Sequence, residues 1–391
     1  MKYLIFAFTL LFSINSFADY KIYASQNQKI DVPESTDPKP SLHSNGVTVQ
    51  CEGMGEGEIF KLNGESYRVV YTKEDAASYA SIACTSNVTD LSQTFKSNST
   101  FNQDISHWDT SGVVDMSGMF MGSASFNQPL NNWDTSNVTN MISMFNGAES
   151  FNQPIGDWDI SNVTNMSSMF RFAKNFNQSL NNWDVSSVTN LGFLFGDAEN
   201  FNQPLNNWDV SSATNMTYMF YRASSFNQNI DNWNTSGVYN MNLMFYSAVS
   251  FNQPLNNWDT SNVTTMNSMF SNATSFNKII DAWNISNVTN INSMFSGASS
   301  FNQPLNSWDT SNVIYMSNIF KNAISFNQPL SNWETSNTNF RYGMNAMFYG
   351  SLSFNRNLSS WCVSHVELKP DFFDTDASSW TLPKPNWGTC P

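Results

Sequence analysis

One column of carboxylates is the chemistry most visible in this sequence. An acidic or amide residue follows a tryptophan at a constant interval: Asp109, Asp134, Asp159, Asp184 and Asp209, then Asn234, Asp259, Asn284, Asp309 and Glu334. If the chain stacks repeat on repeat, these groups line one outward face about 4.8 Å apart, where like charges repel unless something bonds or screens them. Three chemistries answer that. Each carboxylate can accept hydrogen bonds from the serine or backbone just after it, as Asp in Asp-Thr-Ser does in a turn. Calcium could sit between turns, although the glycine-rich ligand loops of calcium-binding β-rolls are absent. A pair on adjacent turns would also lie near the roughly 5 Å separation of a retaining glycosidase. The first reading is preferred, because an active site should break a repeat rather than be spread along it.

The elements that position this column are the repeat itself. Phe-Asn opens a phrase at Phe101, returns at Phe126 and Phe151, and keeps that step as far as Phe326; FNQPLNNWDTSNVT occurs letter for letter at Phe126 to Thr139 and at Phe251 to Thr264. An unvarying period specifies one supersecondary unit stacked on copies of itself. The register slips by three residues around Phe340 to Gly343. Within one unit, Val138, Met141, Met144, Phe145 and Ala148 follow spacings of three and four, which predicts the buried face of a short helix. Trp158 and Ile160 flank Asp159 with period two, which predicts a short strand. The expectation is an α/β solenoid: a leucine-rich-repeat-like array of about eleven 25-residue strand-helix turns.

These residues resemble the BspA-like leucine-rich-repeat surface proteins, a family that includes the 25-residue repeat of mycoplasma lipoproteins. The resemblance rests on WDTSNVTNMISMFNGAESFNQPI (Trp133 to Ile155) with its copies, and on the ending WCVSHVELKP…WGTC from Trp361 to Cys390. It implies a secreted or surface-displayed solenoid, with adhesion to host proteins or other cells in some members, and it brings no catalytic residues. The lipobox cysteine of the lipoprotein members is missing here.

Composition agrees with export. The 391 residues are 40% hydrophobic but only 12% charged, with a formal net charge of −14, a balance that argues against nucleic acid, whose phosphates need clustered Lys and Arg. Met1-Lys2, an apolar run from Tyr3 to Phe12 and Ser16-Phe17-Ala18 read as a signal peptide over 1–18. That run falls short of the roughly 20 residues of a spanning helix, so no membrane insertion is expected. Residues 19–45, with Pro33, Pro38 and Pro40, read as a flexible linker. Residues 46–86 read as an N-terminal cap with a hairpin at Asn63-Gly64 and a helix start at Thr72 to Asp75. The array spans 87–361 and a C-terminal cap spans 362–391. The only cysteines are Cys51, Cys84, Cys362 and Cys390. The length of the array keeps its ends apart, so the pairs must be Cys51 with Cys84 and Cys362 with Cys390.

Two further sets complete the candidates. Asn102, Asn127, Asn152, Asn177, Asn202, Asn227, Asn252, Asn277, Asn302 and Asn327 form a structural ladder whose amides bond to one another and to the loop backbone. The middle turns then depart from consensus. Where other units carry Ser143, Ser168, Ser268 and Ser293, these carry Phe193, Tyr218 and Leu243. Arg171, Phe172, Tyr221, Arg222 and Tyr246 lie one helical turn on, with Tyr239 nearby, and the set is expected to merge into one patch that either binds a partner or packs on itself, a cap or a second copy. His43, His107 and His365 are scattered, and no zinc, nucleophile or phosphate motif is present. The expected function is non-enzymatic binding of a protein or glycan on another surface, without metal or cofactor. The alternative is a self-assembling or calcium-dependent matrix protein.

Overall fold

A computed structural model describes residues 39–339 and 342–391. The expected signal peptide, and the expected linker up to residue 38, lie outside the described residues. All the regular elements among the described residues come before the array. Strand β1 (Ser41–Leu42) pairs antiparallel with β2 (Val49–Gln50). Strand β3 (Ile59–Leu62) pairs antiparallel with β4 (Glu65–Val69) across Asn63 (φ 52°) and Gly64 (φ 91°). Both turn residues are left-handed, as a two-residue hairpin of matching twist requires. Helix α1 (Lys73–Ser78) starts where Thr72 Oγ1 accepts the Asp75 N–H at 3.2 Å, and β5 (Ala83–Cys84) then runs parallel to β4. The Cys51–Cys84 disulfide sits in a small core with Val49, Met54 and Val69.

Beyond Cys84 the expected α/β solenoid of strand-helix turns is not what the chain forms. Among the described residues no helix and no strand of two or more residues follows Cys84. Each 25-residue coil is a chain of turns with one isolated parallel bridge to the next, at Asn140, Asn165, Asn190, Asn215 and Asn240 in successive coils.

The run read as a helix shows why. Residues four apart adopt left-handed backbone, Ser143 (φ 55°) with Gly147 (φ 75°) and Ser168 (φ 59°) with Phe172 (φ 58°), and the same pair recurs along the array. A right-handed helix cannot pass through such residues. Amide bonding therefore alternates. Gly118, Phe120 and Gly122 donate to Ile142, Met144 and Asn146 of the next coil at 2.7–2.8 Å, while Met119, Met121 and Ser123 donate three residues back within their own coil. The apolar positions Val138, Met141, Met144, Phe145 and Ala148 are all buried; their spacing fits four-residue turns as well as a helix of period 3.6. The expected strand fails for a related reason. Trp158 N–H bonds Ile155 O and Val163 N–H bonds Ile160 O, so turns close on both sides of Asp159.

The interior is continuous. Phe145 stacks on Phe170 of the next coil at 5.7 Å and on Phe151 of its own at 4.0 Å, and Trp133 stacks on Trp158 at 6.4 Å. Within the array, from Trp108 to Trp361, each indole N–H finds a carbonyl of the preceding turn of chain, Trp158 Nε1 to Leu130 O at 3.0 Å for example, so these tryptophans bury no unpaired donor, whereas the buried Nε1 of Trp380 in the closing turns has no partner. At the far end Phe373, Trp380 and Trp387 turn edge-on to close the stack, beside the Cys362–Cys390 disulfide. Both disulfides are local to the ends, as the separation of those ends required.

The left-handed positions give a test of opposite sign for the two architectures. In a helix Gly147→Ala would stabilise by about 1 kcal/mol. At φ 75° it should instead destabilise by about 1 kcal/mol, read as a lower urea midpoint at unchanged m-value.

Candidate functional site

The turn run sets the geometry of the aromatic set. Equivalent residues of successive coils stand side by side because the inter-coil bonds hold them there, and residues four apart face the same way because the turn repeats every four. Phe193 stacks on Tyr218 at 4.1 Å, Tyr218 meets Tyr221 at 5.4 Å, and Tyr221 stacks on Tyr246 at 5.0 Å. The Arg171 guanidinium lies over both Phe172 (4.7 Å) and Phe193 (4.3 Å). Arg222 Nε stands 3.4 Å from Asp197 Oδ1. Seven of the eight expected residues thus gather, though on turns and not on a helix face. Tyr239 does not join them. It occupies the column of Thr214 and Thr264, half exposed, with its N–H on Thr214 O.

Two members were not foreseen. Gly196 stands in the column of Arg171 and Tyr221, and a Cβ there would stand 3.4 Å from the Phe193 ring and 3.6 Å from Arg171, in ordinary contact, so both groups pack close over its backbone. Asp197 is buried at a left-handed position. Burial pushes its carboxyl up, against the pull of Arg222 and Arg171. The signal for Asp197 was in the sequence, an acid where Gly122, Gly147 and Gly297 stand. Because the rings cover one another's faces, the surface left to a partner is ring edges, the Phe172 side chain and the exposed Arg222.

The asparagine ladder is regular. Asn127 N–H donates to Asn102 Oδ1 at 2.9 Å, Asn152 N–H to Asn127 Oδ1 at 2.9 Å, and the pattern continues to Asn355 on Asn327. The ladder runs from side chain to backbone, and the amides of the column do not bond to one another. Each Oδ1 takes the next coil's backbone and, in most coils, the following glutamine as well, such as Gln253 Nε2 on Asn227 Oδ1 at 3.0 Å. That glutamine column was legible in the repeated Phe-Asn-Gln.

With this geometry in view, the comparison with known families is informative. A family model described as a mycoplasma protein of unknown function, DUF285, matches residues 70–179, 153–258, 250–342 and 337–389, well over half of the chain. The chain belongs to this family. The DUF285 matches begin just before α1 and run past Trp387, so they take in the array and its closing turns. They support a repeat protein of this mycoplasma type and do not carry the narrower BspA-like leucine-rich-repeat assignment. No curated protein matches the chain.

The carboxylate column of this DUF285 chain is bonded locally. Asp134 Oδ1 accepts both the N–H and the hydroxyl of Ser136 (2.9 and 2.6 Å), and Asp159 does the same with Ser161 (3.0 and 2.7 Å). Hydrogen bonds from the following serine, hydroxyl first and amide second, hold Asp159, Asp184, Asp209, Asp259 and Asp309 below the usual carboxylate pKa. Among the described residues no group of three or more acidic, histidine or cysteine side chains is placed to hold a metal ion.

A carboxylate with a lowered folded pKa contributes stability above its unfolded value near pH 3.9 and loses it as pH falls through the folded value; the melting temperature should therefore hold on acidification to about pH 4 and drop below it. Chelator should leave it unchanged, since a bound ion would raise it by mass action. In the ladder, Asn227→Ala removes the acceptor of the Asn252 N–H and should cost about 1–3 kcal/mol, whereas Asn227→Asp, which keeps an oxygen there, should cost less in the same denaturation series.

Proposed function

We propose that this protein is an exported, non-enzymatic binding protein that uses its repeat array as a display surface for a protein or glycan on another surface. The carrying observation is the interruption of a uniform array by one contiguous aromatic and arginine set, Arg171 to Tyr246, at positions where other coils place serine, glycine or asparagine. Tyrosine and arginine are enriched where proteins recognise partners. Two disulfides support an oxidising, extracellular setting, and no helix among the described residues is long and apolar enough to cross a membrane. The resemblance to BspA-like surface proteins supports adhesion as the form the binding takes.

Energetics also favour recognition over packing. Ring stacking adds about 0.5–1.5 kcal/mol beyond area burial, while a bulky residue in the left-handed region costs about 1–2 kcal/mol; Phe193 (φ 56°) and Tyr218 (φ 59°) carry both terms at once. The fold gains little from them. Replacing Tyr218, Tyr221, Arg222 and Tyr246 together by Ser or Asn should change stability by less than about 2 kcal/mol, four exposed or half-buried sites at the small end of single-site effects. The same variant should abolish capture of the protein or glycan that the wild-type chain retains from surface extracts. Retained capture with an unchanged melt would remove the patch from the proposal, and a collapse of stability would make it packing.

A further inference from the structure

A concavity lies on another stretch of the coil, the Gln-Pro-x-Asn-Asn segment that precedes each tryptophan. It encloses about 500 Å³ between three coils and is lined by Asn206, Gln228, Asn229, Asp231, Asn232 and Asn257 together with Pro204. A second concavity of about 340 Å³, lined among others by Asn181, Asn182, Asn207 and Asp209, meets it at the consecutive residues Asn206 and Asn207. Asn181 Nδ2 on Asn206 Oδ1 at 3.4 Å links the two linings. Two departures from consensus coincide here. Asn229 stands where Pro129, Pro154, Pro204 and Pro254 stand in other coils, and Asp231 where Asn131, Asn181 and Asn206 stand.

The internal hydrogen bonds of the groove use some of its N–H groups and leave several amide oxygens open. Gln228 Nε2 donates to Asn202, Asn232 Nδ2 to Asn206 O at 2.6 Å, and Asn257 Nδ2 to Asp231 Oδ2 at 2.7 Å. The oxygens of the same three amides, Gln228 Oε1, Asn232 Oδ1 and Asn257 Oδ1, accept nothing among the described residues. Asn229 spends its oxygen on the Asp231 N–H and keeps both amide hydrogens. The groove therefore presents both acceptors, the three open amide oxygens, and donors, the amide hydrogens of Asn229 and the second hydrogens of Asn232 and Asn257, along a floor that advances by one coil, about 4.8 Å, at a time.

The geometry points to a binding site for a neutral, hydroxyl-rich polysaccharide laid along the Asn181 to Asn257 groove, a site separate from the aromatic set and independent of it. Hydroxyls donate to the free amide oxygens and accept from Asn229, and a chain of sugar rings repeats on a length close to the coil spacing, so that one register satisfies successive coils. A calcium ion fits less well, since it takes about six to eight oxygens and Asp231 is the one carboxylate lining the larger concavity, with both oxygens already accepting from Asn257. A peptide fits less well too, since Trp183 and Val185 beside the groove are buried and no apolar pocket is left for side chains. Exposed ring faces are lacking, so each contact is weak and strength comes from repetition along the polymer.

The test is affinity electrophoresis of the mature chain through native gels cast with dextran, mixed-linkage β-glucan, xylan or mannan. The expected result is retardation by at least one of them. Asn229→Pro with Asp231→Asn restores the consensus of the neighbouring coils and keeps the fold, and it should weaken that retardation about tenfold, the worth of roughly one hydrogen bond. Asn206→Trp, at the exposed rim, should block it independently should the consensus variant melt early. The Tyr218→Ser variant should be retarded like wild type, which separates this site from the aromatic set. No retardation in any of the four gels, or equal retardation of wild type, the consensus variant and Asn206→Trp at unchanged melting temperature, would overturn the proposal.

Discussion

The structure depends on where its backbone amides send their hydrogen bonds. A turn closes one N–H onto the carbonyl three residues back and leaves the next without a local partner; here that next N–H finds the following coil. The strict period is a consequence. A coil with one residue more or fewer must bulge the change out of its bonded stretch or offset its own donors from their acceptors, and buried amides without partners cost about 1–3 kcal/mol each. The one visible slip, near Phe340, is absorbed because Met316 and Asn318 find Gly343 and Asn345, three residues beyond where the step from Met266 to Asn290 would lead.

The same constraint explains the vocabulary of the repeat. Gly and Asn recur at the left-handed positions because they tolerate that backbone best, and the small side chain of Ser fills most of the others. The asparagine after each opening phenylalanine supplies a side-chain oxygen to the next coil's N–H, in effect a backbone carbonyl carried on a side chain. Tryptophan is tolerated in the core because its one polar atom reaches a carbonyl of the preceding coil, Ile105 O for Trp133 and Leu130 O for Trp158. With inter-coil bonding this complete, neither helix nor sheet is needed to satisfy the chain.

Much of this was legible in the sequence, and the part that was not has a definite cause. Period, core positions, hairpin and disulfide pairing follow from spacing alone. Secondary structure did not, because Val138, Met141, Met144, Phe145 and Ala148 are buried equally by a helix of period 3.6 and by turns of period four, and five positions are too few to separate the two. The contrary signal was Ser143, Asn146 and Gly147, weak helix formers standing between the apolar positions of a supposed helix. The aromatic set was legible as departures from consensus, and Tyr239, grouped with it only because it is close in the sequence, stands in the separate column of Thr214 and Thr264.

Departures carry more meaning in such an array than in an irregular protein. Every column has a resident chosen by a local requirement, so a different residue either meets the same requirement or answers another one. Asn318 and Asn322 at left-handed positions are of the first kind. Phe172, Phe193, Tyr218, Arg222 and Leu243 are not, since each puts a large side chain on a backbone that disfavours it. They fall in adjacent coils, and their side chains face each other, Asp197 or solvent. Elsewhere in the array the left-handed column holds Gly, Ser or Asn in most coils, and Gln93, Ala346 and Phe372 at its two ends are the comparable departures.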